Sequence, residues 1–215
     1  MASGNAPLGF RPPRQARSRA ALQRILASAE QVLAETGFDD LTMVAVAERA
    51  GLSVGAIYRR FEGKEQLLNA VKDRLLTGVE DDITAALDAV DGGLREVIGA
   101  FTAAMADGFS AGAHVIPHVV GNSRAIGSSE RSRKALEHIQ RLFLDATTAH
   151  LEEIRRSDPP TALAITVRTI TAACIHRAVI GRNTPDGITW ADWCDQITDM
   201  ATLYLTTPDH HDHTA

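Results

Sequence analysis

The stretch LTMVAVAERAGLSVGAIYRRF, Leu41 to Phe61, constrains this chain more than any other. Thr42 stands before a patterned run from Met43 to Ala50, Gly51 closes that run, and Ser53 opens a second from Val54 to Arg60. Hydroxyl side chains at such positions accept hydrogen bonds from the orphaned amides of a helix's first turn. Glycine takes the left-handed conformation that ends a helix cheaply. The punctuation therefore predicts helix, three-residue turn, helix, the geometry of a helix-turn-helix. Ala47 is small where the two helices must approach, and Val46, Leu52 and Ile57 supply an apolar joint.

The surrounding sequence is helical throughout. Leu22, Ile25, Leu26, Ala29, Val32 and Leu33 recur at helical spacing, and Gly37 suits the end of that helix. A fourth helix begins near Gly63 and carries Leu67, Leu68, Val71 and Leu75. Gly92-Gly93 is a break, followed by helical patterns over 94–109, 130–155, 159–180 and 189–205. Pro117, Gly121 and Gly127 make 114–129 short-helical or irregular, and Thr184-Pro185-Asp186-Gly187 reads as a turn. No strand pattern or repeat is present, so the expected class is all-α.

Charge is divided unevenly. The net charge is −5, yet residues 1–64 hold nine Lys/Arg against six Asp/Glu, a balance of +3, and the rest carries −8. A basic front on an acidic body fits a protein whose front alone meets nucleic acid. Tyr58, Arg59 and Arg60 belong to that front, at the end of the second helix of the motif. No apolar run approaches the roughly 18 residues of a membrane span, and the N-terminus lacks the apolar stretch of a signal peptide. A cytoplasmic protein without membrane attachment is expected. Cys174 and Cys194 read as small buried apolar side chains, with a redox switch as the alternative.

The segment AERAGLSVGAIYRRFEGKEQLL, within Arg19 to about Val71, resembles the DNA-binding segment of the TetR (tetracycline-repressor-like) family. The resemblance implies a head with a helix-turn-helix, followed by a helical ligand-binding and dimerisation domain. It implies that 54–60 is the recognition helix in the major groove. Gly55 and Ala56 would lie at base edges beside Ser53 and Val54, Tyr58 on a phosphate, and Arg59 on a phosphate or a guanine edge. Arg60 would share that basic face. Thr42 would offer a hydroxyl and a helix N-terminus to phosphate, with Lys64 adding a cation at the next helix. Phe61 would be core. Gly63 stands where the family often has a capping serine.

The same resemblance implies a homodimer on a palindromic operator, with two recognition helices about 34–36 Å apart. Two stripes are dimer candidates: Leu163, Val167, Ile170 and Cys174, continued by Ala178, and Trp190, Trp193, Ile197 and Tyr204, with Met200 between. Candidate lining of an effector pocket is Phe101, Met105, Phe109, His114, His118 and Phe143. His114 and His118 have a spacing that holds zinc on a helix, but Pro117 breaks the helix and no third ligand is near, so no metal is expected. His210, His211 and His213 lie in the tail. No HExxH, nucleophile elbow, phosphate loop or paired acidic constellation is present, so neither catalysis nor a cofactor is expected. A helical enzyme or carrier with a vestigial DNA-binding head, and an activator in place of a repressor, are the alternatives.

The expected organisation is a flexible basic arm over 1–16, the helix-turn-helix domain over 17–76, the ligand and dimer domain over 77–207, and a disordered tail over 208–215. The arm's alternatives are a minor-groove contact and a solubilising extension.

Overall fold

The computed structural model describes residues 14–111, 130–180 and 186–209. Its elements are α1 (Arg14–Asp40), α2 (Met43–Ala50), α3 (Val54–Tyr58), α4 (Lys64–Asp88), α5 (Leu94–Ala111), α6 (Glu130–Thr147), a 3-10 turn (Thr148–Glu153), α7 (Pro159–Ile180) and α8 (Trp190–Thr206). The described residues contain no strand. The chain divides into two compact units, Met1–Val71 and Lys72–Ala215, so the division falls slightly before the expected boundary at 76.

The first unit is built on one face of α1. Ile25, Leu26, Ala29, Val32 and Leu33 are buried, as are Leu41, Val46, Ala47 and Ile57. Ala47 is 1% exposed, which explains the small side chain at the crossing. α1 begins inside the expected arm and runs through Gly37, whose φ of 80° marks a kink where the sequence suggested a stop. Arg49 adds a bidentate pair with Glu35 of α1, both contacts 2.5 Å, and its hydrogen bond holds the Glu35 carboxyl below its ordinary range.

The second unit has its own core. Val79, Ile83, Leu94, Ile98, Phe101, Met105, Phe143, Val167 and Ile170 belong to one buried cluster. Phe101 and Phe143 meet edge to face with ring centroids 4.9 Å apart, an arrangement favoured by the aromatic quadrupole. The helix expected over 130–155 ends early. Thr147 is buried and its hydroxyl donates to the carbonyls of Phe143 and Leu144, after which the chain tightens into the 3-10 turn.

α7 is long and apolar enough to cross a membrane, with mean hydropathy 1.3 over Pro159–Val179. Arg168 and Arg177 interrupt it, and Leu163, Val167, Ile170 and Cys174 spend its apolar face inside the core. The beginning of the expected disordered tail is tied down: Ser157 donates from N and Oγ to Asp209, and Arg156 donates to the Thr207 carbonyl.

Candidate nucleic-acid interface

The interface is set up by two caps and one glycine. Thr42 Oγ1 accepts from the Ala45 amide at 3.1 Å, and Ser53 Oγ from the Ala56 amide at 3.2 Å. Each hydroxyl keeps its own proton for an external acceptor. Gly51 adopts φ 63°, ψ 38°, and the Leu52 amide reaches back to the Ala47 carbonyl at 3.0 Å, a Schellman closure. That left-handed residue turns the chain so that α3 leaves at an angle to α2.

α3 is one short turn, ending at Tyr58 rather than Arg60. The Arg60 amide bonds to the Ile57 carbonyl, three residues back, which tightens the end. Ile57 is fully buried and Phe61 is 5% exposed, so the helix is clamped from beneath and behind. Its outer side is open: Ser53, Gly55, Tyr58, Arg59 and Arg60 are exposed, Tyr58 by 53%, while Val54 and Ala56 are half-buried. Residues 53–59 thus divide into an anchored face and a bare face, as a groove-entering helix requires. At α4, Gln66 Oε1 accepts from the Glu62 amide at 2.6 Å, a capping contact that compensates for Gly63. Lys64, half-buried, is the first residue of that helix.

Arg60 was expected on the DNA-facing side. Arg60 is exposed, and its Nη2 donates to the carbonyl and the hydroxyl of Ser18 on α1, at 3.1 and 2.9 Å. This contact spans distant parts of the sequence and has no local signal.

The second unit rearranges the remaining candidates. Phe101, Met105 and Phe143 are fully buried and Phe109 is 9% exposed, so these side chains form packed core. His114 and His118 lie outside the described residues. Leu163, Val167, Ile170 and Cys174 are each at most 4% exposed, and Ala178 is 1% exposed. These four candidates and Ala178 therefore present no surface to a partner, which corrects the first dimer stripe. Trp190, Trp193, Ile197 and Tyr204 are partly buried against the same core. Among the described residues, the exposed large apolar side chains of α7 and α8 are Ile165, Met200 and Leu203, at 48%, 65% and 64%. An open groove of about 430 Å³ lies between α6 and α7, with Leu136, Gln140, Arg168, Ala172, Ile175 and His176 among its lining. Neither surface was singled out by periodicity, because α7 is apolar on both faces.

Burial pushes the Cys174 thiol up to about 12 and that of Cys194 to about 11, where both stay protonated at neutral pH. Among the described residues, no group of three His, Cys, Asp or Glu side chains converges for a metal ion.

An all-helical chain headed by a capped helix-turn-helix with an outward recognition helix defines a DNA-binding protein of bacterial-regulator architecture. Residues 25–71 match the model of the bacterial regulatory proteins of the tetR family, and the head belongs to that family. No curated protein matches the chain in sequence. Solved structures are similar in fold. One is a tetR-family transcriptional regulator from Streptomyces coelicolor, 17% identical, covering 86% of this chain and 80% of its own, with a TM-score of 0.66. Another is the fatty acid degradation regulator FadR from Bacillus halodurans, 15% identical, covering 96% and 100%, TM-score 0.67. A third is a TetR family regulator from Marinobacter aquaeolei VT8, 19% identical, covering 89% and 98%, TM-score 0.57. At these identities the likeness concerns the fold.

Proposed function

We propose that this chain is a ligand-responsive transcriptional regulator that represses by occupying a palindromic operator as a homodimer and is released by a small-molecule effector in the cytoplasm. The observation that carries this reading is the recognition helix itself: Ile57 sealed beneath it, Tyr58 and Arg59 bare on its outer side. Tyr58 and the hydroxyls of Thr42 and Ser53 would donate to phosphates, which fix register without reading sequence. Arg59 and the small residues Gly55 and Ala56 would meet base edges.

A helix this short reads few base pairs, so specificity calls for a pair of heads. Ile165, Met200 and Leu203 are exposed apolar side chains on α7 and α8 and support those helices as the surface for a second copy, with Trp190, Trp193, Ile197 and Tyr204 at its margin. The effector would act through α4, which begins at Lys64 and continues to Asp88. To shift occupancy from 99% to 1%, an effector must prefer the released state by about 5.5 kcal/mol. Two drug-sized ligands per dimer can supply that. Its site would adjoin the Phe101–Phe143 core, whose side chains must repack to admit it, or the groove between α6 and α7.

The test is a mobility-shift series with duplexes selected from random sequence. Nanomolar binding to a palindrome, lost on scrambling and weakened by Arg59→Ala, is expected. Micromolar, sequence-blind binding would point to a vestigial head on a carrier or enzyme. An operator upstream of the promoter elements, with transcription rising on binding, would make the protein an activator.

A further inference from the structure

The recognition helix ends in two adjacent arginines that the fold treats differently. Arg59 follows the helix as its C-cap, and its Nη1 lies 3.9 Å from where a Cβ on Gly55 would stand, along the exposed side. Arg60 turns onto α1. Its Nη2 donates to the Ser18 carbonyl oxygen at 3.1 Å and to Ser18 Oγ at 2.9 Å, between residues 42 apart in sequence. Ala21 and Ile25 of α1, with Leu52 and Ala56, line the recess that Ser18, Arg59 and Arg60 share.

We infer, given the DNA-binding role proposed above, that Arg60 is a positioning residue for DNA recognition and not a DNA contact. It ties the C-terminal end of α3 to the early turns of α1 and so holds the direction of the recognition helix. With only five residues, α3 is too short to sustain its own geometry. Its first turn is fixed by the Ser53 cap and its middle by the buried Ile57. Its last residue leads straight into the tightened turn at Arg60, where no apolar side chain anchors the outer side. A planar guanidinium can bridge two acceptors at once, and charge-assisted bonds are stronger than neutral ones. The same bridge sets Arg17 and Arg19, the neighbours of Ser18, in fixed register against the recognition helix.

A phosphate contact and a positioning role differ in what salt does. Each cation that neutralises a phosphate contributes about one unit to the slope of log affinity against log salt. The experiment measures that slope for the full-length chain on its selected palindrome, for wild type, Arg60→Gln, Ser18→Ala and Lys64→Ala. Amide hydrogen exchange over residues 16–24 is followed in the free protein. Arg60→Gln is expected to weaken binding about ten- to hundredfold, the range of one charge-assisted bond, with the wild-type slope retained. Exchange over 16–24 should accelerate severalfold. Ser18→Ala should weaken binding less, since the carbonyl acceptor remains, even though alanine favours helix more than serine. Adding Ser18→Ala to Arg60→Gln should cost nothing further, because the two act through one contact. A slope reduced by about one unit per subunit in Arg60→Gln, as expected for Lys64→Ala, would overturn the positioning role. So would unchanged exchange over 16–24. If wild type binds no duplex, the regulator reading fails, and exchange still decides whether the clamp exists.

Discussion

Arg131 grips Glu80 with both arms of its guanidinium, Nη1 to Oε1 at 2.9 Å and Nη2 to Oε2 at 2.7 Å. Its Nε reaches Asp73 at 2.5 Å and Nη2 also reaches Thr77 at 3.0 Å. One side chain of α6 therefore holds acceptors on successive turns of α4. The hydrogen bond with Glu80, more than any other cause, raises the guanidinium above its ordinary range. Glu80 is 14% exposed, so removing its partner strands a carboxylate in poor solvent. Arg131→Met should destabilise the protein by about 1–3 kcal/mol, read as a lower urea midpoint at unchanged slope. The exchange Arg131→Glu with Glu80→Arg should recover part of that loss; no recovery would mean that the pair contributes little.

Gly51 tests backbone conformation in isolation. Its φ is 63°, yet a Cβ built there meets nothing within 4 Å. Gly51→Ala should cost about 1–2 kcal/mol from the left-handed backbone alone, and Gly51→Asn distinctly less, because asparagine tolerates that region. Equal losses for the two variants, measured by thermal melting, would locate the cost elsewhere.

Gly108 tests close packing. A Cβ there would stand 2.6 Å from Val79 Cγ2 in the core of the second unit. Gly108→Ala should destabilise by about 1–3 kcal/mol, as overpacked cores do. Val79→Ala in the same chain should make the added methyl tolerable. The two changes are then strongly non-additive in a double-mutant cycle; additive losses would exclude the clash.

Alkaline pH should weaken the fold through Cys174. Burial raises its thiol from 9.0 to about 12, so the folded state keeps its proton where the unfolded chain has lost it. Stability from this group is intact below pH about 9 and falls by about 1.4 kcal/mol per pH unit above it, until pH 12. Cys174→Val lacks that slope. The difference in denaturant stability between wild type and variant should therefore change steadily between pH 9 and 11, and a constant difference would rule out the effect.

Tyr58→Phe removes a hydroxyl and leaves the ring. Binding to cognate and scrambled duplexes should weaken by similar factors, since phosphate contacts carry no direct base information. A changed base preference in the selected sites would show that Tyr58 reads sequence.

The helix-turn-helix was legible because its determinants are local. Thr42 and Ser53 each bond an amide three residues ahead, and Gly51 needs no partner to end a helix. The inward face of α7 was not legible, because Ile165 and Ala172 outside match Val167 and Ile170 inside in kind. The end of α6 depends on Thr147 finding carbonyls within the core, and a continuous helical pattern conceals it. The Arg131 and Arg60 contacts join segments 51 and 42 residues apart, so no window of sequence could contain them. For the same reason Arg60 read simply as one more cation on a basic helix.

The corner where α7 meets α8 has an optical consequence. The chain has two tryptophans, Trp190 and Trp193, with ring centroids 5.5 Å apart, and the Arg177 guanidinium lies within 6 Å of both. All indole emission thus originates from a single spot, shadowed by one cation. The recognition helix contributes no indole signal of its own. A spectrum that moves when operator is added would be reporting news carried from one end of the polypeptide to the other.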